Sequence, residues 1–204
     1  MGFTYLDYAA TTPLSEAVKS TLVETINNQN DFFNSGSSTY EQAEIVSHKI
    51  ELARKDIAET MNVFPREIIF TSGATESNNL AIKGLAFAYK QKGNHIITSK
   101  AEHKAVLDVC KHLEGEGFEV SYLDVDNFGK ISTKELEQAI TDKTILISLM
   151  AVNNELGTVN DLYGIGQLAK KNKIIFHVDA AQAYGKIDLD IKGMGIDLSV
   201  QGVI

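Results

Sequence analysis

Ile174-Ile175-Phe176-His177-Val178-Asp179-Ala180-Ala181-Gln182 is a short, nearly continuous apolar run that ends in one acid, two alanines and an amide. A run that apolar and that short predicts a strand buried on both faces, as in a parallel sheet. Asp179 then stands where the strand leaves the sheet, which is where open α/β sheets receive ligands. A carboxylate there is costly unless a cation or good donors face it. Two readings are open for it: the partner of a bound cation, or a cap on the next helix or turn. Gln182, three residues on, is placed at the same exit.

Outward from this stretch, short apolar runs alternate with helical patterns. Residues 67–71, 95–99, 118–123, 144–150 and 174–179 read as strands. Helices fill the gaps at 76–90, 103–116, 133–140 and 162–171. That alternation predicts an α/β fold, a mostly parallel sheet with flanking helices. Before it, Ser15 is a candidate N-cap for a helix carrying Val18, Leu22 and Ile26 on one face. A polar loop over 27–38 precedes a long amphipathic helix over 40–61, with Ala43, Val46, Ile50, Ala53, Ile57 and Met61 as its stripe. Residues 1–14 are assigned to an N-terminal segment and 15–204 to the sheet domain.

The 204 residues are 44% hydrophobic and 23% charged, an ordinary globular composition. A formal charge of −8 with no basic stripe argues against a nucleic-acid partner. One cysteine excludes an internal disulfide, and no apolar run is long enough to span a bilayer. With no signal peptide at the start, the expected location is the cytoplasm.

Three further strand exits carry chemistry. Phe70 to Asn79 runs from a strand through a small-residue turn into a helix, where backbone N–H groups and the Thr75 hydroxyl can meet an anion. It is neither the dinucleotide fingerprint nor the P-loop, and a merely capped helix, with Thr or Ser as N-cap and Glu76 in its first turn, is the other reading. Ser99 to Val106 brings His103 to a helix start, to lie on an aromatic cofactor, to move protons, or only to cap. Met150 to Thr158 offers Asn154 to a substrate carboxylate or cofactor oxygen, or forms a polar turn. Cys110 lies on the apolar side of a helix with no base beside it and reads as an inert buried thiol. His48, His95 and His112 read as structural, and His177 as a hydrogen-bonded core histidine. Together Thr75, His103, Asn154, Asp179 and Gln182 make the parts of a pyridoxal 5'-phosphate (PLP) site.

With those motifs in hand, the chain resembles the cysteine desulfurases of the iron–sulfur-cluster assembly and nitrogen-fixation type, within the class V aminotransferases. The resemblance is carried by residues 6–13, 70–79, 102–106, 152–155 and 177–182, in one register. The selenocysteine-lyase branch is less similar. The resemblance implies the large domain of PLP fold type I, with Ala74 and Thr75 on the phosphate and His103 stacked on the ring. It places Asn154 on cofactor and substrate, Asp179 on the pyridine nitrogen and Gln182 on the phenolic oxygen. It also implies a homodimer that turns L-cysteine into L-alanine and passes sulfur, as a persulfide, to iron–sulfur scaffold or other acceptor proteins.

The likeness departs at the end. The family pattern Asp-Leu-x-Ser-x-x-(Gly/Ala)-His-Lys is matched only by Asp197-Leu198-Ser199-Val200-Gln201-Gly202, and Val203-Ile204 follow. The family's Schiff-base lysine, carboxylate-binding arginine and nucleophilic cysteine have no counterparts in these residues. The expectation is therefore a truncated large domain, incomplete at its C-terminus and inactive alone. The alternatives are a non-catalytic binding or regulatory partner of a full-length desulfurase, or another class V enzyme acting on an amino acid.

Overall fold

A computed structural model describes residues 4–202, so the expectation placed on Val203-Ile204 lies outside the described residues. The chain divides between Ile69 and Phe70 into two compact units, whereas the sequence reading draws its boundary at residues 14/15.

In the first unit, residues 4–14 form neither helix nor strand. Helix α1 (Glu16–Asn27) begins where expected, with the Ser15 hydroxyl oxygen accepting the Val18 N–H at 3.3 Å. It buries no residue, and the expected apolar face of Val18, Leu22 and Ile26 is exposed. Helix α2 (Glu41–Thr60) buries Ala43 of its expected stripe and Ala58 beside it, while Ile50 and Ala53 of that stripe stay exposed. The strand expected at 67–71 is absent. A 3-10 turn occupies Pro65–Glu67, with the Glu67 carboxylate accepting the Phe64 N–H at 2.7 Å. Ile69 and Phe70 follow it exposed and outside any strand, so their β propensity is not used.

The second unit is built on five parallel strands in the order β2-β1-β3-β4-β5. They are β1 (His95–Ser99), β2 (Glu119–Leu123), β3 (Thr144–Met150), β4 (Ile175–Asp179) and β5 (Leu198–Val200). The central strands β1 and β3 are buried at every residue, which is why their sequences run apolar without alternation. Edge strand β2 keeps polar and half-buried positions. The short β5 was not anticipated as a strand. Helices α3 (Ala74–Tyr89), α4 (Lys104–Gly115), α5 (Thr133–Ala139) and α6 (Leu162–Asn172) connect them. Ser132 and Asp161 cap α5 and α6, and Lys173 closes α6 in the left-handed region at φ 57°. No helix among the described residues is long and apolar enough to cross a membrane.

One core layer joins α3 and α4 to the sheet through Ile82, Ile96, Val106, Leu113, Phe118 and Leu146. Cys110 lies fully buried in it with its thiol pushed up to about 12 by burial, in keeping with an inert role. Because every strand is parallel, all five C-terminal ends leave the sheet at one rim. The strand order reverses between β1 and β3, where such sheets open a crevice.

On α6, a Cβ on Gly166 would stand 1.7 Å from the Met194 carbonyl oxygen. Gly84, in the middle of α3, has open space at the same point. Gly166→Ala should therefore destabilise the fold by roughly 1–3 kcal/mol, and Gly84→Ala should be neutral or stabilising by about 0.5–1 kcal/mol. Urea unfolding midpoints of the two variants check this contrast.

Candidate functional site

Asp179 closes β4 with its side chain buried, 6% of the residue remaining exposed. One carboxylate oxygen accepts the Ala181 N–H at 3.0 Å, a turn that also satisfies the capping reading. The other accepts an amide N–H from Asn78 of α3 at 2.8 Å. Both donors are neutral. No lysine or arginine among the described residues forms an ion pair with this carboxylate. Gln182 stands half-buried at the same exit, where its side-chain oxygen accepts from Lys186 Nζ at 3.0 Å.

The start of α3 is an open helix N-terminus. Its N-cap is Gly73, at φ 155° and ψ 178°, a backbone that residues with a Cβ rarely adopt. No side chain caps the first turn, so the N–H groups of Ala74 and Thr75 point outward without an intrahelical acceptor. The Thr or Ser N-cap of the alternative reading is not what forms here. The first-turn acid Glu76 folds back onto the Ser72 N–H and hydroxyl, both at 2.6 Å, and these bonds hold its carboxyl below the usual range. Thr75 is exposed and Ala74 half-buried.

His103 is the N-cap of α4, and its Nδ1 accepts the Ala105 N–H at 3.1 Å. The exposed ring therefore caps its helix and leaves Nε2 to solvent or a ligand. Asn153 and Asn154 have separate tasks. Asn153 is buried, donating to the Ala101 carbonyl at 3.0 Å and accepting from the N–H groups of Glu155 and Leu156, both at 2.9 Å. Asn154 is half-buried and bonds only its neighbour Glu155, at 2.8 Å.

Two buried titratable groups stand close to Asp179. Glu102, at the β1 exit, accepts the Met150 N–H at 2.8 Å and the Ser99 hydroxyl at 3.4 Å, tying β1 to β3 across the crevice. Burial, helped by the charge of Asp179, raises its carboxyl to about 8. His177, two residues before Asp179 on the same strand face, shares a hydrogen bond with the Ser148 hydroxyl at 2.9 Å through Nδ1. Burial lowers its imidazole to about 4. It is the hydrogen-bonded core histidine expected. His95 is likewise bonded on both nitrogens, to Thr144 at 2.7 Å and Ser121 at 2.9 Å.

Among the described residues, four buried side-chain atoms have no partner: Asn78 Oδ1, Glu102 Oε2, His177 Nε2 and Gln201 Oε1. They belong to the exits of β1 and β5, the first turns of α3 and the upper half of β4. Each unmet buried polar atom costs about 1–3 kcal/mol, and all four belong to elements that end around Asp179. The groove lined by Phe128, Leu156 and Val159 has no such convergence. Sequence reasoning missed two members of the rim. Glu102 lies in the stretch from Ser99 to Val106, where local pattern gives a role only to His103, and nothing in Asn78-Asn79 tells which amide turns inward.

The chain matches the family described as Aminotransferase class-V over residues 4–202. It is 50% identical over 194 residues to "Cysteine desulfurase IscS" of Colwellia psychrerythraea (strain 34H / ATCC BAA-681), covering 95% of this chain and 48% of that protein. The same figures hold for "Cysteine desulfurase IscS" of Vibrio vulnificus (strain YJ016). Among solved structures, "SspA in complex with cysteine" superposes with a TM-score of 0.91 at 44% identity, over 98% of this chain and 57% of that one. DndA from Streptomyces lividans does so with a TM-score of 0.84 at 40% identity, over 98% and 55%. The chain thus spans about half the length of the curated relatives it matches.

The two buried titratable groups predict opposite pH effects on stability. Glu102 is protonated in the fold and ionised in the unfolded chain between pH 4.5 and about 8, so its contribution is lost as pH rises through that window. His177 is neutral in the fold and charged when unfolded between about 4 and 6.5, so its contribution is lost as pH falls. Glu102→Gln should therefore gain stability relative to the parent between pH 5 and 8.5, by an amount of order a few kcal/mol. Denaturant unfolding at those two pH values measures it, and parallel pH curves would refute it.

Proposed function

Because the chain belongs to the class-V aminotransferase family, we propose that its rim holds pyridoxal 5'-phosphate and serves the removal of sulfur from L-cysteine, leaving L-alanine. The observation that carries this reading is the buried Asp179 carboxylate, met only by neutral donors and surrounded by polar atoms without partners. A carboxylate so placed suits a protonated ring nitrogen, and the open N-terminus of α3 suits a phosphate. The residues present therefore fit the cofactor.

In this reading Asp179 keeps the ring nitrogen protonated. Ala74, Thr75 and the first N–H groups of α3 take the phosphate, and His103 lies against the ring. Asn154 contacts cofactor and substrate, and Gln182 meets the phenolic oxygen. The cofactor, when bound, supplies an electron sink for bonds at the substrate Cα. His103 is the catalytic candidate among these residues. Its Nδ1 accepts a backbone N–H, so the neutral ring carries its proton on Nε2, free to be exchanged with a bound molecule.

The 50% identity to proteins named IscS supports the finer part of the proposal. That part is persulfide sulfur delivered to iron–sulfur scaffold or other acceptor proteins by a homodimer. For a polypeptide of only these 204 residues, we propose reversible PLP binding without turnover, because no lysine here falls at the position the family pattern requires.

PLP titration by equilibrium dialysis and visible absorbance tests the site. Saturable binding is expected, and Asp179→Ala should weaken it at least tenfold, about 1.4 kcal/mol. Absent or non-saturable binding would overturn the assignment. Alanine produced from cysteine by the pure 204-residue polypeptide would sink the second proposal.

A further inference from the structure

Asn78 sits in the second turn of α3 and is fully buried. Asparagine is a mediocre helix former, and its amide loses water when buried. Its neighbour shows what an asparagine does here by default: Asn79 turns back to the Thr75 carbonyl of its own helix at 2.9 Å. Asn78 instead crosses to the sheet and donates to the far carboxylate oxygen of Asp179. Its own Oδ1 is left without a partner, so the amide is not there to satisfy itself.

With the Ala181 N–H on one oxygen and Asn78 on the other, the plane and direction of the Asp179 carboxylate are both set. The carboxylate has neutral donors only, which leaves its charge available. The other groups facing it are His177, neutral and tied to Ser148, and the buried Glu102 carboxyl across the β1–β3 crevice. Neither offers a cation.

We propose that Asn78 is a positioning residue that aims the Asp179 carboxylate at the ring nitrogen of the bound cofactor. This rests on the PLP reading above. An amide suits the task because it orients a carboxylate without neutralising it, as a lysine or arginine would. Asn78 does its work through Asp179, and is assigned no contact with the substrate.

The test compares dialysis affinities for PLP and for its carbocyclic analogue, in which a CH replaces the ring nitrogen. The parent chain should prefer PLP by at least tenfold. Asn78→Leu, close in size and without a donor, should lose most of its PLP affinity while its affinity for the analogue stays within twofold. Discrimination then collapses. A purely structural tie between α3 and β4 would lower both affinities alike, and that result overturns the inference. So does discrimination that survives the substitution. Should Asn78→Leu fail to fold, Asn78→Ala, with room for water in place of the amide, reports the same ratio. A parent chain that binds neither compound would overturn the PLP reading itself, an outcome distinct from a parent that discriminates and a variant that does so equally.

Discussion

A carboxylate at the end of a strand buried on both faces must be met by donors or cations, and the structure around Asp179 follows from that need. The strand itself is apolar on both sides, so little water reaches its exit. Two hydrogen bonds to an ionised group contribute about 1.5–3 kcal/mol each. They come from Ala181, in the turn that follows, and from Asn78, about a hundred residues earlier on α3. The bond to Asn78 joins α3 to the end of β4, beside the packing of Ile82 and Ala86 on the sheet. Through that geometry the open first turn of α3 and the acid share one rim.

The parallel sheet does the remaining gathering. Each strand delivers its C-terminal end to the same edge, and the reversal of order between β1 and β3 parts the connections there. Glu102 spans this parting by accepting the Met150 N–H. His103, next in sequence, is thereby held at the head of α4 with Nδ1 committed to its helix. At these exits the helix starts differ: His103 caps α4, whereas α3 opens on Gly73 without a side-chain cap.

Its electrostatics are simple in outline. Burial drives Glu102 and His177 toward their neutral forms around neutral pH, by opposite displacements of their titration. The acid that keeps two good neutral donors is Asp179. The rim thus presents a buried acid without an ion-pair partner among polar atoms whose bonds are unmet, in a chain that belongs to the class-V family.

Much of this was legible in residue order. The apolar runs around Ile96, Ile147 and Val178 identify strands buried on both faces, because only parallel sheets need both sides of a strand apolar. Spacing alone also puts His103, Asn154, Asp179 and Gln182 at strand exits, because the side-chain period and the length of a crossover are local properties, whereas Thr75, expected at another exit, opens α3 with no strand before it. The strand read into residues 67–71 failed for a complementary reason: β propensity is expressed only where the fold brings up a sheet, and the sheet of this chain begins at β1. Nor does local pattern say which of two adjacent asparagines faces inward. Asn78 and Asn79 differ by 100° around a helix, and only the packing of α3 on the sheet decides that Asn78 reaches Asp179. The same holds for Glu102, whose raised titration depends on burial between two strands far apart in sequence. Residue order determined strands β1 to β4, their exits and the chemistry available at each, whereas the tertiary structure alone decided which donors meet Asp179, since hydrogen-bond partners distant in the chain become neighbours only when the sheet closes.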